Sequence, residues 1–173
     1  PLGPYLALVN KLSDNLLAES LVRTLGRVKG AGGTYDAGDA VELPFFKSLG
    51  VDTDTIRLVD GCGLGRRNMV TARAVGQLLL GMHRQADWKF YYDSLPIAGV
   101  DGTLKSRLKA TRAAGNVHAK TGTLTGVRAL SGYVTARDGG LYVFSLLMNN
   151  FPGTAHEAGD VQDKFVLYLA ENL

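Results

Sequence analysis

The stretch VHAKTGTLTGVRALSGYVTARDGGLYVFSLLM, residues 117–148, decides the fold. Its β-branched and aromatic residues fall into three runs: Val117 to Thr121, Val127 to Thr135, and Leu141 to Met148. The last two meet at Arg137-Asp138-Gly139-Gly140, a composition suited to a hairpin. Three such runs predict an antiparallel sheet. Upstream, the period is helical. Leu2, Leu6 and Val9, then Leu12 and Leu16, recur on one helical face, interrupted by Ser13-Asp14-Asn15, which prefer caps and turns. The second helix continues through Leu17, Leu21 and Leu25 and is expected to stop at Gly26. Gly30 to Gly33 then reads as a flexible connection, Asp39 to Leu49 as a weaker helix closed by Gly50, and Ile56 to Val59 as a short extended segment. Asp60-Gly61-Cys62-Gly63-Leu64-Gly65 is a polar glycine-rich loop. Thr71 is placed to cap an amphipathic helix whose core face is Ala74, Val75, Leu78, Leu79 and Met82. Trp88, Phe90 and Tyr91 form an aromatic cluster, the Tyr91-Tyr92 pair and Trp88 are read as core packing, and Ala155 to Leu169 is helical again. A helical 1–110, strands within 116–149 and a closing helix over 154–170 make an α+β chain, its antiparallel sheet flanked by helices.

Composition narrows the function classes. The 173 residues suffice for one core that buries roughly 68–70% of the unfolded chain's surface. With 46% hydrophobic and 20% charged residues, the chain is neither disordered nor fibrous. Lys and Arg total 19 against 16 Asp and Glu, a net charge of only +3, and the basic residues are scattered, Arg66-Arg67 being the densest pair; no nucleic-acid partner is expected. A single cysteine, Cys62, excludes an internal disulfide and a multi-thiolate metal site. His83, His118 and His156 lack zinc-ligand spacing, and none accompanies a Gly-x-Ser-x-Gly elbow, so no metal and no cofactor are expected. No apolar run reaches the roughly 18 residues of a membrane span. The chain opens Pro1-Leu2-Gly3 without methionine or leader and is read as part of a longer polypeptide.

Two triplets carry chemistry. Taken alone, Ser13-Asp14-Asn15 reads as a helix cap, and Lys120-Thr121-Gly122 as a strand ending in a turn. Taken together they supply complementary groups. Lys120 is a compact cation for a substrate's terminal carboxylate, and Thr121 adds a hydroxyl donor. Gly122 lets a peptide lie close along the strand edge. The Thr123 N–H suits the oxyanion of a tetrahedral acyl-transfer intermediate. Ser13 is a proton relay towards a leaving amine, Asn15 a contact for a substrate amide, and Lys11 a further positive charge behind them. Asp60 and Leu124 are expected to line the cleft.

The stretches Asn10–Leu16, Asp60–Leu64, Pro96–Leu104 and Val117–Leu124, with Asn149-Asn150 after the last strand, resemble the D-alanyl-D-alanine carboxypeptidase/endopeptidase family of low-molecular-mass penicillin-binding proteins, nearly end to end. The resemblance implies a β-lactamase/DD-peptidase-like fold, present here in part, and a serine acyl-enzyme mechanism. It also implies peptidoglycan stem peptides ending in D-Ala-D-Ala as substrates, β-lactams as inhibitors, and a periplasmic or other extracytoplasmic place in the cell envelope. Two departures stand out. The family's loop usually reads Asp-Gly-Ser-Gly-Leu-Ser, whereas Cys62 and Gly65 replace both serines; without a neighbouring histidine, Cys62 reads as structural. The one Ser-x-x-Lys match, Ser106-Arg107-Leu108-Lys109, lies in the linker ahead of the Lys-Thr-Gly strand. The nucleophilic serine and its lysine are therefore expected upstream of Pro1, and this chain alone is expected to be inactive. A β-lactamase-related hydrolase and a non-catalytic peptidoglycan-binding module are the alternatives.

Overall fold

The computed structural model describes residues 2–173 as two compact units, one made of the residues through Ser13 together with Ala86–Leu173, the other of Asp14–Gln85. In the first unit α1 (Leu2–Leu12) and α5 (Trp88–Ser94) precede β1 (Val117–Leu124), β2 (Val127–Thr135) and β3 (Leu141–Asn149), and α6 (Ala155–Asn172) closes it. The second holds α2 (Asn15–Lys29), α3 (Tyr35–Ser48) and α4 (Ala72–His83).

The strands form an antiparallel meander in the order β1-β2-β3, with Val117 opposite Val134 and Val127 opposite Asn149. Strand alternation sorts the side chains between two faces. Val117, Ala119, Leu130, Val134 and Phe144 share one face and pack with Val166 and Ala170 of α6 in one core cluster. Each fully buried aliphatic there is worth about 1.5–3 kcal/mol over its exposed state. His118 and Tyr133 point to the opposite face, where the Tyr133 ring meets Trp88 edge-on at 5.0 Å and Tyr92 stacks on His118 at 3.9 Å. Trp88 and Tyr92, both read as core packing, therefore cover the second face, whereas Phe90 of the aromatic cluster is exposed. The hairpin between β2 and β3 closes on Asp138, whose carboxylate accepts from Gly140 N at 2.7 Å and from Tyr142 Oη at 2.6 Å. Thr154 and Glu157 form a reciprocal capping box that starts α6.

In the second unit, Asp14 caps α2 by accepting from Leu17 N, and Thr71 caps α4 by accepting from Ala74 N. The helix expected to end at Gly26 runs on to Lys29. Gly26 is instead a clearance residue, since a Cβ there would lie 2.6 Å from Gly38 N of α3, and one at Gly38 would collide with Val22 O. α3 also begins earlier than its apolar spacing suggested, at Tyr35, because Thr34 supplies the cap and Pro44 is accommodated within the helix. The core of this unit gathers Leu49, Val51 and Ala74 with Phe46, Ile56, Leu78 and Met82.

Because the α2–α3 crossing leaves no room for one methyl group, Gly38→Ala should cost about 1–3 kcal/mol. Gly76→Ala, in α4 with nothing within 4 Å of its Cβ position, should instead stabilise by about 0.5–1 kcal/mol. Urea unfolding of the two variants checks the opposite signs, and shifts of the same sign would contradict the crossing.

Candidate active site

Ser13 follows the last residue of α1 and adopts φ 55°, the left-handed region that non-glycine residues rarely occupy. Its hydroxyl accepts a 2.7 Å hydrogen bond from Lys120 Nζ, joining positions 107 residues apart. Lys120 also donates to the carbonyl of Thr121 at 2.8 Å. Both acceptors are neutral. Burial pulls the pKa of the Lys120 ammonium down to about 8.

α1 is held in place to present Ser13. Asn10 Nδ2 donates to Ser94 Oγ at 2.7 Å, and Lys11 Nζ donates to Leu95 O at 3.0 Å and to Asp101 Oδ2 at 2.6 Å. Asp101 uses its other oxygen to accept from Ile97 N at 2.9 Å, bracing the turn that leads to Gly102. Gly102 has φ +57°, and a Cβ there would come 2.9 Å from Lys11 O. Lys11 is thus not a second site charge, since Asp101 neutralises it. Asn10, Asp101 and Thr103 are the residues that reading the sequence did not single out. Asp101 and Thr103 lay within the Pro96–Leu104 stretch that carried the resemblance, but nothing local announces a partner 90 positions away.

β1 is an edge strand, covered at one end. Ala119 N donates to Pro96 O and Ala98 N donates to Val117 O, so residues 96–98 pair with its beginning. In an antiparallel strand the backbone groups alternate sides, so Thr121 and Thr123, like Ala119, turn their N–H groups away from β2. The uncovered edge therefore coincides with Lys120 to Leu124. Thr121 Oγ1 donates to Thr103 Oγ1 at 2.8 Å, and Thr123 Oγ1 accepts from Arg128 Nη1 at 2.6 Å. Gly122 sits opposite Ala129, whose Cβ at 3.3 Å is the one neighbour a side chain there would meet. Leu124 closes β1 opposite Val127.

Asn15 and Asp60 belong to the other unit. Asn15 opens α2 with an exposed side chain. Asp60 organises its own loop: Oδ1 accepts from Gly63 N and Asn68 Nδ2, at 2.6 and 3.0 Å, and Oδ2 from Gly65 N at 2.5 Å. Glu19 Oε1 accepts from Gly61 N and Cys62 N, at 2.8 and 3.0 Å. Glu19, Asp60 and Cys62 bring ligand-type atoms within 4.8 Å of one another, and these loop-closing bonds account for the two carboxylates. Burial chiefly, aided by Glu19 against an opposing bond from the Leu64 backbone, pushes the Cys62 thiol up, so it is held as thiol rather than thiolate.

Ser106 and Lys109 are both exposed in a segment of turns, not on a helical face, and Leu108 and Ala110 have φ 59° and 56°. The spacing that would align serine and lysine on a helix is absent there. His118 is buried with Nδ1 3.2 Å from Tyr92 O, and burial pushes it below the ordinary histidine range; His83 and His156 are exposed.

A family model described as the D-Ala-D-Ala carboxypeptidase 3 (S13) family matches residues 1–172. A D-alanyl-D-alanine carboxypeptidase of Actinomadura sp. (strain R39) is 45% identical over 167 residues, covering 93% of this chain and 30% of that protein. Penicillin binding protein 4 from Haemophilus influenzae, solved with a β-lactam, superposes with TM-score 0.83 at 31% identity over 97% of this chain and 41% of that one. The TLA-3 extended-spectrum β-lactamase, at 19% identity and TM-score 0.67, covers 97% of this chain and 61% of its own and shares the fold. The chain spans about a third of the length of the curated relatives it matches.

Following the Lys120 side chain by NMR through a pH titration should give a midpoint near 8, against about 10.4 for a free lysine. A midpoint above 10 would mean that Lys120 is solvated and not held as described.

Proposed function

The chain belongs to the D-Ala-D-Ala carboxypeptidase 3 (S13) family, and from that premise we propose that it is the part of a serine-type D-Ala-D-Ala carboxypeptidase/endopeptidase that grips the substrate and relays its proton. The observation that carries this reading is the Lys120–Ser13 hydrogen bond beside an uncovered strand edge. A desolvated ammonium without a carboxylate partner has its electrostatic demand unmet, and a peptide's terminal carboxylate meets it. The protonated lysine is the binding form, so affinity for that carboxylate is full below pH about 8 and is lost as pH rises through it.

With the peptide's last residue on Lys120, its backbone lies antiparallel along β1, where the outward N–H of Thr123 donates to the oxyanion formed when a serine elsewhere in the polypeptide attacks the scissile carbonyl. Ser13 accepts from Lys120 and keeps its own O–H to pass to the departing D-Ala amine; the proton lost from Ser13 is replaced from the attacking serine's side. Gly122 supports the same approach. A glycine inside a strand costs about 0.5–1 kcal/mol, and the protein's own packing offers only the Ala129 methyl as a reason for it. Thr121 is fixed by Thr103 as a second hydroxyl on that edge. Asn15 is the substrate-amide contact, Asp60 shapes its loop, and Leu124 contributes apolar lining. The substrate assigns the reaction to the cell envelope, outside the cytoplasm; among the described residues no helix is long and apolar enough to cross a membrane.

β-Lactams carry a carboxylate beside an acylating carbonyl and should occupy the same groups. In the protein together with its nucleophilic segment, Lys120→Ala should slow acylation by a fluorescent penicillin by about 10²–10³-fold. An unchanged rate would remove Lys120 from the site. Stable labelling with negligible nitrocefin turnover is expected; rapid turnover would favour a β-lactamase instead.

A further inference from the structure

Lys11 brings no free charge to the site, yet it stands two residues before Ser13, and its partner reaches the strand as well. Asp101 divides its carboxylate between two elements. Oδ2 accepts from Lys11 Nζ at 2.6 Å, at the end of α1, and Oδ1 accepts from Ile97 N at 2.9 Å. Ile97 bridges antiparallel to His118, and its neighbours extend the pairing, Ala119 N donating to Pro96 O at 2.9 Å and Ala98 N to Val117 O at 3.0 Å. One planar carboxylate therefore spans the helix end that presents Ser13 and the segment that covers the beginning of β1. The ion pair is partly exposed, with 21% of the Lys11 side chain and 36% of the Asp101 side chain accessible, and such a pair adds little to stability. What it fixes is geometry.

Ser13 does not hold its place unaided. A serine leaves a φ of 55° unless its surroundings over-determine it. The Lys120 side chain bonded to its hydroxyl is long and can follow if the serine moves. The fixed points are backbone groups, reached by Lys11 Nζ directly at Leu95 O and through Asp101 at Ile97 N. We propose that Asp101 is a positioning residue for the proton relay, holding Ser13 within hydrogen-bond reach of the nitrogen that leaves a ligand laid along β1. The inference rests on the reading above that Ser13 is that relay. In acylation the attacking serine oxygen bonds to the scissile carbonyl carbon and the C–N bond breaks. The nitrogen takes the Ser13 proton and departs as a neutral amine, and Ser13 regains a proton from the attacking serine's side. A misplacement of about 1 Å costs such a transfer on the order of 10²-fold, but costs nothing to a leaving group that needs no proton.

Two ligands with the same acyl group separate these cases: a peptide whose leaving group is the D-Ala amine, and the corresponding thioester, whose thiolate departs unprotonated. In the protein with its nucleophilic segment, Asp101→Asn keeps an acceptor for Ile97 N and turns an NH2 towards Lys11. It should slow acylation by the peptide about tenfold at an unchanged half-saturating concentration, and leave the thioester within about twofold of the parent rate. Lys11→Met removes the same contact from the other side and should show the same selectivity. The double variant should be no slower than the slower single one, because both remove one interaction. Either variant alone carries the test should the other fail to fold. A merely structural role would slow both ligands together, and that result, like unchanged rates for both, overturns the inference. Ser13→Ala should show the selective loss more strongly. If it does while Asp101→Asn and Lys11→Met do not, this inference alone fails; if Ser13→Ala slows both ligands equally, the relay reading fails and the inference with it.

Discussion

A lysine ammonium drawn out of water and bonded to a serine hydroxyl is the interaction around which the first unit is arranged. Lys120 Nζ meets Ser13 Oγ at 2.7 Å, and among the described residues no carboxylate pairs with it to repay the lost hydration. A buried charge in that condition is costly and persists only where rigid neighbours hold its partners in place. Those neighbours are identifiable. The last turn of α1 is pinned by Asn10 to Ser94 and by Lys11 to Asp101, and the segment carrying Asp101 also pairs with the first residues of β1. Helix end, turn and strand are therefore fixed to one another, and the strained Ser13 backbone is held at the point where they meet.

The sheet supplies the second constraint. An exposed strand edge invites pairing with another chain, and this one is covered over its first residues by Pro96 to Ala98 and open only from Lys120 onward. Covering sets the register of any added strand, and alternation sets which N–H groups point out. Because side chains also alternate, Lys120 lies on the aromatic face with His118, while Thr121 and Thr123 lie on the α6 face. One edge thus offers a cation and two hydroxyls from opposite sides of the strand, with outward backbone donors between them.

Much of this was legible in the sequence where local chemistry decides. The three strands, the Asp138 hairpin and the caps at Thr71 and Asp14 follow from residue types within a few positions of where they act. The pairing of the serine and lysine triplets was legible only through resemblance, since no spacing rule joins residues 13 and 120. What stayed hidden depends on partners distant in the chain. Gly26 has the local signature of a helix stop, but it is there to let α3 pass. Lys11 looked like a site charge because Asp101 is invisible from its own neighbourhood. Arg128 read as one of many scattered basic residues until the register set it against Thr123.

The central claim is that Ser13 and Lys120 act as one unit, and a double-mutant cycle on acylation tests it most directly. In the protein with its nucleophilic segment, Ser13→Ala, Lys120→Ala and the double variant are compared for penicillin acylation rate. The account predicts strong non-additivity, the double variant being about as slow as Lys120→Ala alone, with a coupling of about 2 kcal/mol. Additive losses would show that the two residues act independently and would contradict it.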